Sequence, residues 1–168
     1  MIRTFTLALG LAIAASAGIA HAAGNSHCGA GETTWFNATV DGASKQVSIC
    51  GSASLEGGSA WLQYRFGKPG DIDLQYPKNH AGSMSAFTIR RYTRPRTTYL
   101  KLDFVNGGYT YAILEGFGAD EDPQSTATLR VTRNSDGAEA ASLDLAMTTE
   151  PLNIMQFEYK VRTEPFDE

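Results

Sequence analysis

Histidine and cysteine are scarce in this chain of 168 residues, which has three of the first and two of the second. A structural zinc site takes four nitrogen or sulfur ligands at short spacing, and no such cluster is present. The chain carries no G-x-S-x-G elbow, no S-x-x-K triplet and no phosphate-binding P-loop. An EF-hand starting at Asp120 would need Gly and Glu where Ser125 and Val131 stand. No metal, no cofactor and none of the common hydrolase sites is therefore expected. A net positive charge is missing too. Lys and Arg number 14 against 18 Asp and Glu, a formal charge of −4, which argues against a general nucleic-acid binder. Past the first 22 residues no run is long and apolar enough to cross a bilayer as a helix, so no transmembrane segment is expected.

Those first residues read as a signal peptide. Arg3 supplies a short positive start, residues 5–19 an Ala-rich apolar core, and Ala20-His21-Ala22 a small-x-small cleavage box. Cleavage after Ala22 leaves residues 23–168, one charge more negative than the whole chain. That length suits one domain with its own core. An exported product is expected, in a bacterial periplasm or outside the cell. In such an oxidising compartment Cys28 and Cys50 have one possible pairing, a disulfide worth roughly 3 kcal/mol in the chain-entropy model. Residues 23–31 are small and polar, a flexible arm held by Cys28.

What the chain does have is alternation. Around Asn106-Gly107-Gly108, residues Leu100, Leu102 and Phe104 on one side and Tyr109, Tyr111 and Ile113 on the other alternate with their neighbours, the pattern of a β-hairpin. Further strands are expected at 33–40, 45–50, 60–66, 71–76, 85–93, 126–133 and 138–147, separated by turn-forming Gly, Pro, Asn and Asp. If Val40 faces Lys45, Cys50 falls opposite Trp35, so the disulfide should tie the arm to the second strand rather than close a simple hairpin. Residues 138–141 also fit a helix. Thr149-Glu150-Pro151 resembles a helix start, with a short helix over 152–157 and a final strand or tail after it. The expected fold is all-β: a single antiparallel sandwich or barrel of about eight or nine short strands, with a possible short helix near the C-terminus.

Five basic residues, Arg90, Arg91, Arg94, Arg96 and Lys101, crowd into residues 90–101, interleaved with Tyr92 and Tyr99. Guanidinium groups fit carboxylates and phosphates and stack on rings, so these seven residues form the candidate binding surface for an anionic partner. Strand alternation would instead split them between two faces, to pair with Asp71, Asp73, Asp103 or the acidic loop 120–124. Alternation puts Arg91 on the apolar Phe87/Ile89 face, where it needs a partner or a bulge. Trp35, Trp61, Tyr64, Tyr109 and Tyr111 offer rings for sugar stacking. Asp71 with Asp73, or Asp103 with Glu115, would serve a glycosidase only if two carboxylates lined a cleft. His80 would act as a base only beside Ser83 or Ser85.

The segments SICGSASLEGG, LQYRFGKPGDIDLQYP and DFVNGGYTYAI resemble an uncharacterised family of small exported proteobacterial proteins, over roughly residues 47–116. The resemblance implies export and a β-rich fold, and it carries over no activity and no site residues. The expectation is an exported, non-enzymatic β domain that binds a protein or anionic partner in the cell envelope. An envelope glycan-binding module is the alternative, and a small hydrolase using a carboxylate pair comes third.

Overall fold

The computed structural model describes residues 26–118, 126–147 and 153–166. The expected signal peptide, the acidic loop 120–124 and the expected helix start at Pro151 lie outside the described residues.

The central hairpin forms as the alternation predicts. Its arms, β6 (Thr97–Asn106) and β7 (Tyr109–Gly118), pair from Asn106↔Tyr109 to Thr97↔Gly118. Gly107 and Gly108 both have positive φ, 58° and 81°, as a two-residue type I′ turn requires. Leu100, Leu102 and Phe104 are buried on one face, with Ile113 beside them.

This hairpin sits inside one ten-stranded sheet. Before it come β1 (Thr33–Val40), β2 (Gln46–Gly51), β3 (Leu62–Lys68), β4 (Asp71–Tyr76) and β5 (Thr88–Arg94). After it come β8 (Thr126–Arg133), β9 (Glu139–Met147) and β10 (Arg162–Pro165). The order is β10-β5-β6-β7-β8-β9-β1-β2-β3-β4. The fold is therefore all-β, but three expectations need correction. The strands number ten among the described residues. The sheet is open, with β4 and β10 as edges, so its hydrogen bonding does not close a barrel. The pairing is not wholly antiparallel either, because β10 runs parallel to β5. That last feature follows from the route of the chain: parallel strands require a crossover, and residues 153–161 provide one. This segment crosses the core face through a 3₁₀ turn (Ile154–Phe157), burying Ile154, Phe157 and Val161. The short helix expected over 152–157 is this turn, and residues 139–141 are strand rather than helix.

The open sheet bends so that its two ends share a core. Tyr76 of β4 stacks on Phe104 of β6 with centroids 4.7 Å apart, and Phe104 stacks in turn on Tyr111 of β7 at 5.1 Å. Tyr64 and Phe87 pack around the same ring. Such ring pairs contribute about 0.5–1.5 kcal/mol each beyond their area.

Pairing of β1 with β2 follows the expected register from Thr39↔Gln46 to Phe36↔Ile49. A bulge at Trp35 then places Cys50 opposite Thr34. The extra residue lets the Trp35 indole donate to the Ser52 carbonyl at 3.0 Å. A second irregularity lies at Gly67, where an added Cβ would sit 2.2 Å from the Asp71 carbonyl oxygen. Backbone cannot yield there as a flexible side chain would. Gly67→Ala is expected to cost about 3 kcal/mol, read as a lowered urea midpoint with an unchanged slope.

Candidate binding surface

The Arg/Tyr cluster lies on β5, β6 and the turn joining them, and the register separates its members. Arg90↔Lys101, Tyr92↔Tyr99 and Arg94↔Thr97 are opposed on the outer face of the sheet. Arg91↔Leu100 points to the core face, without a bulge between the two strands. The paired alternative is the one realised. The Arg91 guanidinium meets the Glu158 carboxylate at 3.0 Å, just past the 3₁₀ turn. Arg91 is thus an anchor for the crossover and not part of the outer surface. Arg90 is also committed inside the molecule, bridging Asp103 of β6 and Glu164 of β10 with its side chain only 13% exposed. Arg96 occupies the turn after Pro95, with φ 70°.

Tyr92, Tyr99, Arg94 and Lys101 remain together on the outer face. Arg94 lies against Tyr92, its Nε donating to the phenol oxygen at 2.9 Å and its guanidinium carbon 5.0 Å from the ring centroid. Lys101 Nζ stands 5.7 Å from the ring of Phe166, the residue following β10. Phe166 lies 6.0 Å from Tyr92. A depression of about 520 Å³ opens between Tyr92, Arg94, Tyr99 and Phe166. Two more, of about 190 and 350 Å³, also meet at Phe166 and extend over Leu114, Ala112 and Arg130 on β7 and β8. The three meet at Phe166 as one groove of mixed apolar and polar lining that includes Arg94, Lys101 and Arg130. Tyr92 and Tyr99 are 37% and 42% exposed.

Phe166, Leu114 and Arg130 were not foreseen. The strand pairings that bring Leu114 beside Lys101 and Arg130 beside Ala112 are regular, so alternation on 109–116 and 126–133 held that signal. Nothing local marks Phe166, which arrives through a parallel pairing across 74 residues of chain.

The other candidates come apart. Asp71 and Asp73 are exposed on the edge strand β4, where Asp73 pairs with Lys45 at 2.9 Å. Asp103 and Glu115 point to opposite faces of the sheet. His80 stacks on Trp61 with ring centroids 3.7 Å apart, while Ser83 accepts the Leu62 N–H and Ser85 donates to the Gly82 carbonyl. Among the proposed sugar platforms, Tyr64 is buried and Tyr111 stacks within the core. Cys28, Cys50 and Glu32 cluster within 4.8 Å, but the two sulfurs are bonded to each other at 2.06 Å and have no thiolate to offer a metal.

That disulfide ties the arm to β2 as expected, and the arm is further pinned over the outer face of β1–β3. Arg65 of β3 makes a two-armed pair with Glu32, at 2.5 and 2.8 Å, and donates to the His27 carbonyl at 2.7 Å. Its Nε and Nη2 both reach Gln63 Oε1, at 2.9 and 2.6 Å. Hydrogen bonding from Arg65 holds the Glu32 carboxyl below its ordinary pKa. This polar cluster is filled by the protein's own groups and reads as structural.

Compared with protein-family models, with curated proteins and with solved structures, the chain matches none. The class of protein defined here is an all-β domain with a disulfide, no membrane-spanning helix among the described residues, and an aromatic groove on one outer face.

Proposed function

We propose that the protein is an exported, non-enzymatic recognition domain that binds an anionic protein partner in the cell envelope on the outer face of β5–β8. The observation that carries this reading is the exposed Tyr92–Tyr99 pair, opposed across β5 and β6 and continuous with the groove at Phe166. Tyrosines supply large contact area at low entropic cost and dominate binding hot spots. The basic residues lining the groove suit a partner of negative charge, in contrast with the acidic whole. The signal-like leader and the disulfide support export.

The test is capture from an envelope extract by the oxidised domain, followed by titration with the purified captured protein. Tyr92→Ser with Tyr99→Ser should weaken that affinity at least tenfold, since losing one hot-spot ring costs about 2 kcal/mol. Affinity of the unaltered domain should fall steeply as salt rises. The exposed tyrosines also favour a second reading, an envelope glycan stacked on the same rings. In that case the double variant still loses binding, but the captured species is a polysaccharide and salt matters little.

A further inference from the structure

Phe166, which lines the groove, follows directly on a short strand at the sheet edge. Strand β10 is the last strand, the one parallel member of the sheet, and it covers only Thr88 to Arg91 of the β5 edge. None of its four residues is buried: Arg162, Thr163 and Pro165 are exposed and Glu164 is half-buried. It is held by the backbone ladder, by Glu164 against Arg90 at 2.8 Å, by Arg162 against Thr88 at 2.8 Å, and by Phe166 in the aromatic groove. The last buried side chain before it is Val161, directly at its start, and Tyr159, in the turn between the buried Phe157 and Val161, has φ 63° and is 90% exposed. The core anchors of the crossover therefore end where β10 begins. The strand can leave without unpacking the core.

Ordering a residue costs backbone entropy that a net hydrogen bond does little more than offset. A four-residue strand that buries no apolar side chain is held with little surplus. From this we infer that β10 is a displaceable stand-in for the partner. The partner's contact is an extended segment with a carboxylate two residues before an aromatic ring, as Glu164 precedes Phe166. It adds to the β5 edge, places its carboxylate on Arg90 and its ring beside Tyr92. Strand addition of this kind takes affinity from the main chain and specificity from alternate side chains. The inference rests on the recognition reading above and names the partner chemistry of that same surface.

The experiment uses the full mature chain and a labelled peptide of residues 160–166, KVRTEPF, followed by fluorescence anisotropy. In the unaltered protein the tethered β10 competes at an effective concentration of the order of millimolar. The Glu164→Arg chain sets two guanidinium groups against each other and releases its own strand. It should bind KVRTEPF at least tenfold more tightly than the unaltered chain does. A peptide with the same Glu→Arg change should bind neither. A Phe166→Ser chain should also gain affinity for KVRTEPF, which guards against a single unlucky variant. If both chains keep a native melt yet bind no KVRTEPF at millimolar concentration, or bind both peptides equally, the displaceable strand is wrong. Should that happen while the captured partner still depends on Tyr92 and Tyr99, the recognition surface stands and only strand displacement is lost.

Discussion

Glu115→Gln will flatten the dependence of stability on pH between 5 and 8. Glu115 lies on the core face of β7, between Leu100 of β6 and Ala127 of β8, and is 1% exposed. One carboxyl oxygen accepts the Ile154 N–H at 2.9 Å, and the other has no hydrogen-bond partner among the described residues. Arg91, on the same row of the sheet, is engaged with Glu158. Burial pushes the Glu115 carboxyl up from 4.5 to about 7, against a smaller opposing effect of the Ile154 N–H. A raised carboxyl holds its proton in the folded chain after the unfolded chain has released it. The associated stability is complete below pH 4.5 and is lost as pH rises through about 7. One pKa unit corresponds to about 1.4 kcal/mol, so the loss in the unaltered protein is on the order of 3 kcal/mol. Glutamine keeps an oxygen for Ile154 and has no charge to release. Urea denaturation of both proteins at pH 5 and pH 8 should show the unaltered one falling and the variant level. Parallel curves would mean that the carboxyl is already ionised at pH 5.

Arg65→Ala should be the most damaging single change on the arm side, costing about 3–5 kcal/mol. The side chain is 10% exposed in its pair with Glu32, and its removal strands Glu32, Gln63 Oε1 and the His27 carbonyl together. The arm would then be held chiefly by Cys28–Cys50, whose loss alone costs roughly 3 kcal/mol. Both devices act on the same segment, so removing them together should cost less than the sum. The pH signature differs from that of Glu115. A depressed carboxyl stabilises above its ordinary pKa and loses that contribution as pH falls. Acid unfolding of the unaltered protein should therefore include a Glu32 component that the Arg65→Ala variant lacks. Calorimetric melts from pH 3 to 6 would show it.

The parts of this architecture that were legible are those set by neighbours in the chain. The β6–β7 hairpin could be read because Gly107-Gly108 sits between two alternating runs, and the β1–β2 register because a short turn joins the strands. Arg91 was flagged by parity alone, and its pairing with Glu158 answers the cost of a charge on an apolar face. The bulge at Trp35 was not legible, since it depends on an indole finding the Ser52 carbonyl on the other side of the hairpin. Nor was β10, whose ladder with β5 arises only after the chain has crossed the core. The same distance hid the groove's far wall: Tyr92 and Tyr99 were visible as a pair and alternation held Leu114, but Phe166 joins them only in three dimensions.

An open ladder of ten strands presents two free rims, and a rim of unpaired amides is a template on which further copies can stack into fibres. Here one rim is β4, whose Asp71 and Asp73 would set like charges against each other in a facing copy. The other is β10, only four residues long and ending in Pro165, which has no amide hydrogen to give. With β10 in place, both described end strands are therefore poor seeds for polymerisation, whereas the β5 edge beneath β10 would lack that protection once bared.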